Sequence, residues 1–166
     1  MTYTPLALSP GAVMSKGQFI SYAMKVRLND GNDHVFYLGF DRIVELARAF
    51  NIKIPQMIAD GTYSLSASSK ETLATEADYK KLNVHLTKNE LEYPEPKNII
   101  HQLNVLIGDE FLLLSILRND QSTIDIQIPN PAIEIFCGYM MNTLVYAGGK
   151  TLSEKVIAEA AKTPHN

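Results

Sequence analysis

From Gln18 to Leu28 the chain alternates. Ile20, Tyr22, Met24, Val26 and Leu28 share one parity, and Ser21, Lys25 and Arg27 lie on the other. This period of two predicts a strand with one face in the core and one in water. After Asn29–His34 the segment "VFYLGF" resumes the rhythm, with His34, Phe36 and Leu38 pointing inward. A helix follows, with Asp41 favourable at its positive end and Ile43, Leu46, Ala47 and Phe50 at helical spacing. Pro55 is expected to stop it.

Ninety residues on, "LLLSILRNDQSTIDIQIPNPAIEIFCGYM", 112–140, aligns with 22–50 without a gap. Tyr22, Met24 and Val26 fall on Leu112, Leu114 and Ile116, and Phe36 and Leu38 on Ile126 and Ile128. Ile43, Leu46, Ala47 and Phe50 fall on Ile133, Phe136, Cys137 and Met140. Only Asn29/Asn119, Asp30/Asp120 and Ile43/Ile133 are identical among the 29 aligned positions. An internal pseudo-duplication therefore rests on apolar rhythm and turn position rather than on identity. In the second unit Asn130 is a candidate cap, Pro131 suits the first helical position, and Gly148-Gly149 marks an end.

Between the units, Ser68 with Glu71 suggests a capping box opening a short helix to about Lys81, and "LNVHLTK" alternates as a strand. "NELEYPEPKN" has two prolines and reads as a loop, its Glu90, Glu92 and Glu95 solvated. "IIHQLNVLI" and "FLLLSIL" make adjoining strands around Gly108-Asp109-Glu110, and "TLSEKVIAEAAK" closes the chain as a helix. The expectation is one α+β domain over 1–166, with a mostly antiparallel sheet and packed helices. Unit one spans about 18–52, a connecting segment 53–98, unit two 99–149 and the last helix 152–162.

Composition narrows the classes without choosing among them. With 166 residues, 46% hydrophobic and 20% charged, the chain can bury a sizeable core. A formal net charge of -3 and no basic run longer than Lys80-Lys81 disfavour nucleic acid. Pro5, Pro10 and Gly11 break the first apolar stretch, so no signal peptide is expected. No apolar run approaches the roughly 18 residues of a membrane span. The lone Cys137 excludes an internal disulfide and a cysteine-based zinc site. The expected compartment is the cytoplasm.

Candidate chemistry is sparse. "NDGNDH", Asn29 to His34, is oxygen-rich, but it occupies the slot that "NDQSTI" fills in the second unit, and Asn, Asp and Gly are what hairpin turns select. A calcium loop would be longer and closed by a bidentate Glu. His34 and His101 take inward parity as half-buried strand positions, while His85 points out. Cys137 shares the apolar face of Ile133, Phe136, Met140, Met141 and Leu144, so it belongs to the core. "IGDEF", Ile107 to Phe111, together with "LNDGNDH", resembles the signature segments of diguanylate cyclases. That resemblance implies a metal-binding aspartate on the strand before Asn29, where Ser21 and Ala23 stand, and glycines where Ile107 and Asp33 stand. Without those ligands no phosphoryl transfer follows. No glycine-rich phosphate loop, nucleophile elbow or His-Glu-x-x-His occurs. No catalytic residue, cofactor or metal ligand is assigned.

One strand stands apart. In "FLLLSIL" both parities are apolar: Leu112, Leu114 and Ile116 on one, Phe111, Leu113 and Leu117 on the other, where the first unit has Lys25 and Arg27. Such a strand is covered by the protein's own helix or by another chain. Phe111, Leu113 and Leu117 are thus the candidate interaction surface, for a protein partner or a homo-oligomer. The expected function is a non-catalytic protein-interaction module of bacterial or phage type, such as a regulator, adaptor, or inhibitor or immunity protein. The alternative is a small enzyme or ligand-binding protein using His34, His101 and nearby Tyr and Asp side chains.

Overall fold

The computed structural model describes residues 1–59 and 84–162. Its strands are β1 (Thr2–Tyr3), β2 (Pro5–Ser15), β3 (Gln18–Leu28), β4 (Asp33–Leu38), β5 (Ile100–Ile107), β6 (Phe111–Arg118) and β7 (Thr123–Pro129). The helices are α1 (Phe40–Ala59), α2 (Lys88–Glu92) and α3 (Asn130–Ala161), with a 3-10 turn at Pro96–Asn98. The fold is α+β. In place of the single sheet expected, the strands divide into two, of order β2-β3-β4 and β1-β7-β6-β5.

Each unit is three strands and a helix, β2-β3-β4-α1 and β5-β6-β7-α3. Apart from β1 the sheets are antiparallel, as short connections dictate. β1 runs parallel to β7 and leads directly into β2, while Ile99, just ahead of β5, bridges Tyr37 of β4 in parallel. Each unit's first strand thus begins against the other unit's sheet, which ties the two together.

The inward parities form one core. Tyr22, Met24, Val26 and Leu28 of β3, Leu112, Leu114 and Ile116 of β6, and Ile43, Leu46 and Phe50 of α1 lie in one buried cluster with Ile133, Phe136, Met140 and Leu144 of α3. Ile20 has the same parity but is 53% exposed, beside the β2–β3 turn where the strands end. Burying each such Leu or Ile is worth about 1.5–3 kcal/mol.

Several elements differ from the pattern. β2 is a strand that Pro5, Pro10 and Gly11 concealed; it sits at its sheet's edge, where a missing N–H is tolerated. α1 runs through Pro55 to Ala59. The ring forfeits one bond to the preceding turn, while burial of Lys53 and Met57 holds the last turns down. Lys53 donates from Nζ to the carbonyls of Gly108 (2.5 Å) and Asp109 (2.9 Å), pinning the β5–β6 hairpin. Asn130 does not cap α3: Pro129 is the cap residue, and Asn130 donates from Nδ2 to Asp109 O at 3.1 Å. α3 breaks at Gly149 (φ 66) and resumes to Ala161, where Arg48 donates to the terminal carbonyls of Glu159 and Ala160. Val84–Thr87 has no regular structure, in place of the strand expected there. The helix expected over 68–81 lies outside the described residues. Among the described residues, no helix is long and apolar enough to cross a membrane.

Candidate functional site

The two β-hairpin turns that opened the chemical question have one geometry. Asp30 Oδ1 accepts from Asn32 N (2.8 Å) as Asp120 Oδ1 accepts from Ser122 N (2.9 Å). Leu28 N bonds Asn32 O as Arg118 N bonds Ser122 O, and Asn29 N bonds Thr4 O as Asn119 N bonds Ile99 O. Gly31 (φ 84) and Gln121 (φ 71) both take the left-handed conformation. Backbone hydrogen bonding from Asn32 holds the Asp30 carboxyl below its usual range, and the Ser122 side chain and backbone do the same to Asp120. NDGNDH is a self-bonded turn, and the second Asp30 oxygen faces His34 Nε2 at 3.2 Å.

His34 is half-buried and stacks on Phe36. His101 is exposed, contrary to its parity, because a bulge between Ile100 and Gln102 shifts the strand by one residue. His34 meets Asp30 and the His101 carbonyl meets Arg42, and no hydrogen bond among the described residues joins the two histidines. His85 is exposed, as its sequence phase indicated. Cys137 is packed against the core cluster, and burial pushes its thiol up to about 11.

The outer faces of the two sheets are the informative surfaces. On the first, Val13, Ala23 and Tyr37 form a small buried cluster under Leu86, Leu91, Val35 and Ile99. Thr87 and Glu90 form a capping box that starts α2 above this face. Tyr37 donates its hydroxyl to Glu90 O (2.7 Å), and Lys25 donates to His85 O (3.0 Å) and pairs with Glu90 (2.9 Å). Burial works against a charged Glu90, but the Thr87 N–H and Lys25 outweigh it and hold the carboxyl low. Gly11 lets the cover come close: a Cβ would stand 2.8 Å from a Leu86 methyl and 2.9 Å from a Leu91 methyl, which would have to shift. Of the segment read as a solvated loop, Glu92 and Glu95 are exposed, whereas Glu90 belongs with Leu86 and Leu91 to a cover above Lys25.

On the second sheet the same positions hold Leu113 for Ala23, Ser115 for Lys25, Leu117 for Arg27 and Gln127 for Tyr37. Leu113 pairs across the ladder with Leu106 of β5, which is 59% exposed, and Leu117 with Gln102. Leu106, Leu113 and Leu117 belong to neither buried cluster, whereas Leu112, Leu114 and Ile116 share one with α3. Leu113 and Leu117 are half-buried and Leu106 is exposed, and among the described residues no helix shares a buried cluster with them. Leu113 and Leu117 lie on it as expected, joined by Leu106, which only the strand register reveals. Phe111 serves its own hairpin, with its ring against Gly108 where a Cβ would collide.

A groove of about 720 Å³ lies between β2 and the first part of α3, lined by Pro10, Ala12, Met14, Tyr139, Asn142 and Tyr146 among others. Tyr146 is 92% exposed. A shallower counterpart of about 330 Å³ lies between β5 and α1.

Residues 1–161 match the family model described as YjeJ-like. No curated protein matches the chain, and no solved structure does.

Proposed function

We propose that this chain, which belongs to the YjeJ-like family, is a non-catalytic protein-binding module of bacterial or phage type that seats its partner on the outer face of the second sheet. A regulator, an adaptor, or an inhibitor or immunity protein would each use such a seat. The observation that carries the proposal is the inequality of the two outer faces: one is closed by the chain's own Leu86, Leu91 and Glu90, the other presents Leu106, Leu113 and Leu117 outside both buried clusters. The cover of the first face is a template for what the second would accept. A partner segment with two or three apolar side chains fits the leucines, and a basic residue on it meets Asp125 on the adjoining strand. Two or three buried leucines at about 1.5–3 kcal/mol each supply a large part of the roughly 8 kcal/mol of a micromolar association. The proposed compartment is the cytoplasm, where a lone reduced cysteine such as Cys137 is at home.

The test is recovery of a binding partner from the native host by the wild-type chain and by Leu113→Lys. A folded Leu113→Lys that loses the partner supports the proposal, and a folded one that retains it refutes it.

The β2–α3 groove favours a second reading, a small-ligand-binding protein. Its volume is in the range that holds small molecules, with Asn142 and Thr143 as polar contacts among apolar ones. Melting shifts against a ligand panel, abolished by Ala12→Phe, would support it.

A further inference from the structure

Sheet edges expose backbone donors and acceptors that invite another strand, and natural proteins blunt them with proline, charge or bulges. One edge of the first sheet, β2, is blunted. β2 carries Pro5 and Pro10 and is irregular near both ends, between Pro5 and Ala7 and between Val13 and Met14. The long edge strand of the second sheet is β5, "IHQLNVLI", which has no proline and no Lys, Arg, Asp or Glu. Gly108 N bonds Phe111 O, so Gly108 and Phe111 are a hydrogen-bonded pair. The alternation of an antiparallel ladder then turns Leu106 and Asn104 toward β6, and the N–H and C=O groups of Leu103, Val105 and Ile107 toward the open edge. Earlier along the edge, the His101 carbonyl is already taken by Arg42 at 2.7 Å. Among the described residues the groups of Leu103, Val105 and Ile107 have no partner.

We propose that β5 pairs antiparallel with β5 of a second copy, making one continuous sheet across a two-fold axis at Val105. Outward-facing amides call for an extended backbone, and β5 itself supplies one in complementary register: Val105 meets Val105 of the second copy, and Leu103 meets Ile107. Because the strand is neutral, self-pairing sets no like charges against each other. On the outer face the exposed Leu106 side chains of the two copies come within diagonal reach, which gives the pairing an apolar contact. This goes beyond the docking proposal, since it stands on backbone geometry rather than on Leu113 and Leu117.

The experiment is sedimentation with residue-resolved hydrogen exchange on the whole chain across a concentration series. The expected result is a reversible dimer in which the amides of Leu103, Val105 and Ile107 gain protection as concentration rises. Val105→Pro removes an outward N–H without touching the β5–β6 ladder, and should weaken dimerisation about tenfold or more. Asn104→Lys, at an exposed position, should weaken it without unfolding the chain, and Leu113→Lys should leave it intact. A monomer throughout, or a dimer indifferent to both β5 variants, overturns the proposal.

Discussion

Ala23 on β3 and Leu113 on β6 stand at the same place in two sheets, ninety residues apart, and meet opposite surroundings. Ala23 is wholly buried beneath the Leu86–Leu91 segment, with Tyr37 beside it anchoring that segment to Glu90. Leu113 has the larger side chain and only the exposed Leu106 for an apolar neighbour across the ladder. The covered face is built from a small residue, a glycine and a half-buried ion pair, because a chain segment must approach closely. The open face is built from leucines, which have value only when something lies on them. Similar backbone frames can thus carry opposite surface chemistry, and the side chains alone distinguish a closed face from an available one.

The contrast can be sharpened first within β6. Leu112→Ala, on the buried side, should lower stability by about 2–5 kcal/mol. Leu113→Ala, one residue away on the open side, should stay within about 0.5 kcal/mol of wild type. Chemical denaturation of both variants measures the two sides of one strand. Equal losses would mean that both sides are core.

A smaller effect comes from giving the first face the residue of the second. Ala23→Leu forces a larger side chain under the cover and should cost about 1–3 kcal/mol, read from the denaturation midpoint.

Acid offers a gentler way to break the comparison. Glu90 has its folded carboxyl held below the ordinary value of 4.5, so its contribution is complete above that value and is lost as pH falls through the lowered one. Asp30 and Asp120 shift in the same direction in both turns, so they do not set one unit apart from the other. Melting curves from neutral to acid pH should therefore fall less steeply for Glu90→Gln than for wild type. Identical slopes would show that Glu90 does not hold the cover.

The elements that follow a clean period were legible in the sequence. β3, β4, β6, β7 and the starts of both long helices follow from alternation and helical spacing, and the turn geometry at Asp30 and Asp120 follows from residue type. What escaped depended on contacts between distant residues. Pro10 looked like a break until it lay on a sheet edge, and Pro55 like a stop until Met57 was buried beyond it. His101 took the wrong side because a bulge leaves no mark on composition. The cover did leave a signal, the Thr87-x-x-Glu90 capping box, within a stretch whose prolines and acids suggested solvent. Leu113 and Leu117 stood out because both parities of β6 are apolar, whereas Leu106 joins them only through the register of β5 with β6.

The most direct test sets the two equivalent positions against each other, as the melting temperatures of Leu113→Lys and Ala23→Lys in the free chain. At Ala23 the lysine must enter a closed cluster, and the charge should cost several kcal/mol or unfold the chain. At Leu113 it should extend into water and leave the melting temperature within about 2 °C of wild type. A Leu113→Lys that unfolds, or that falls as far as Ala23→Lys, would contradict an open second face and with it the docking surface.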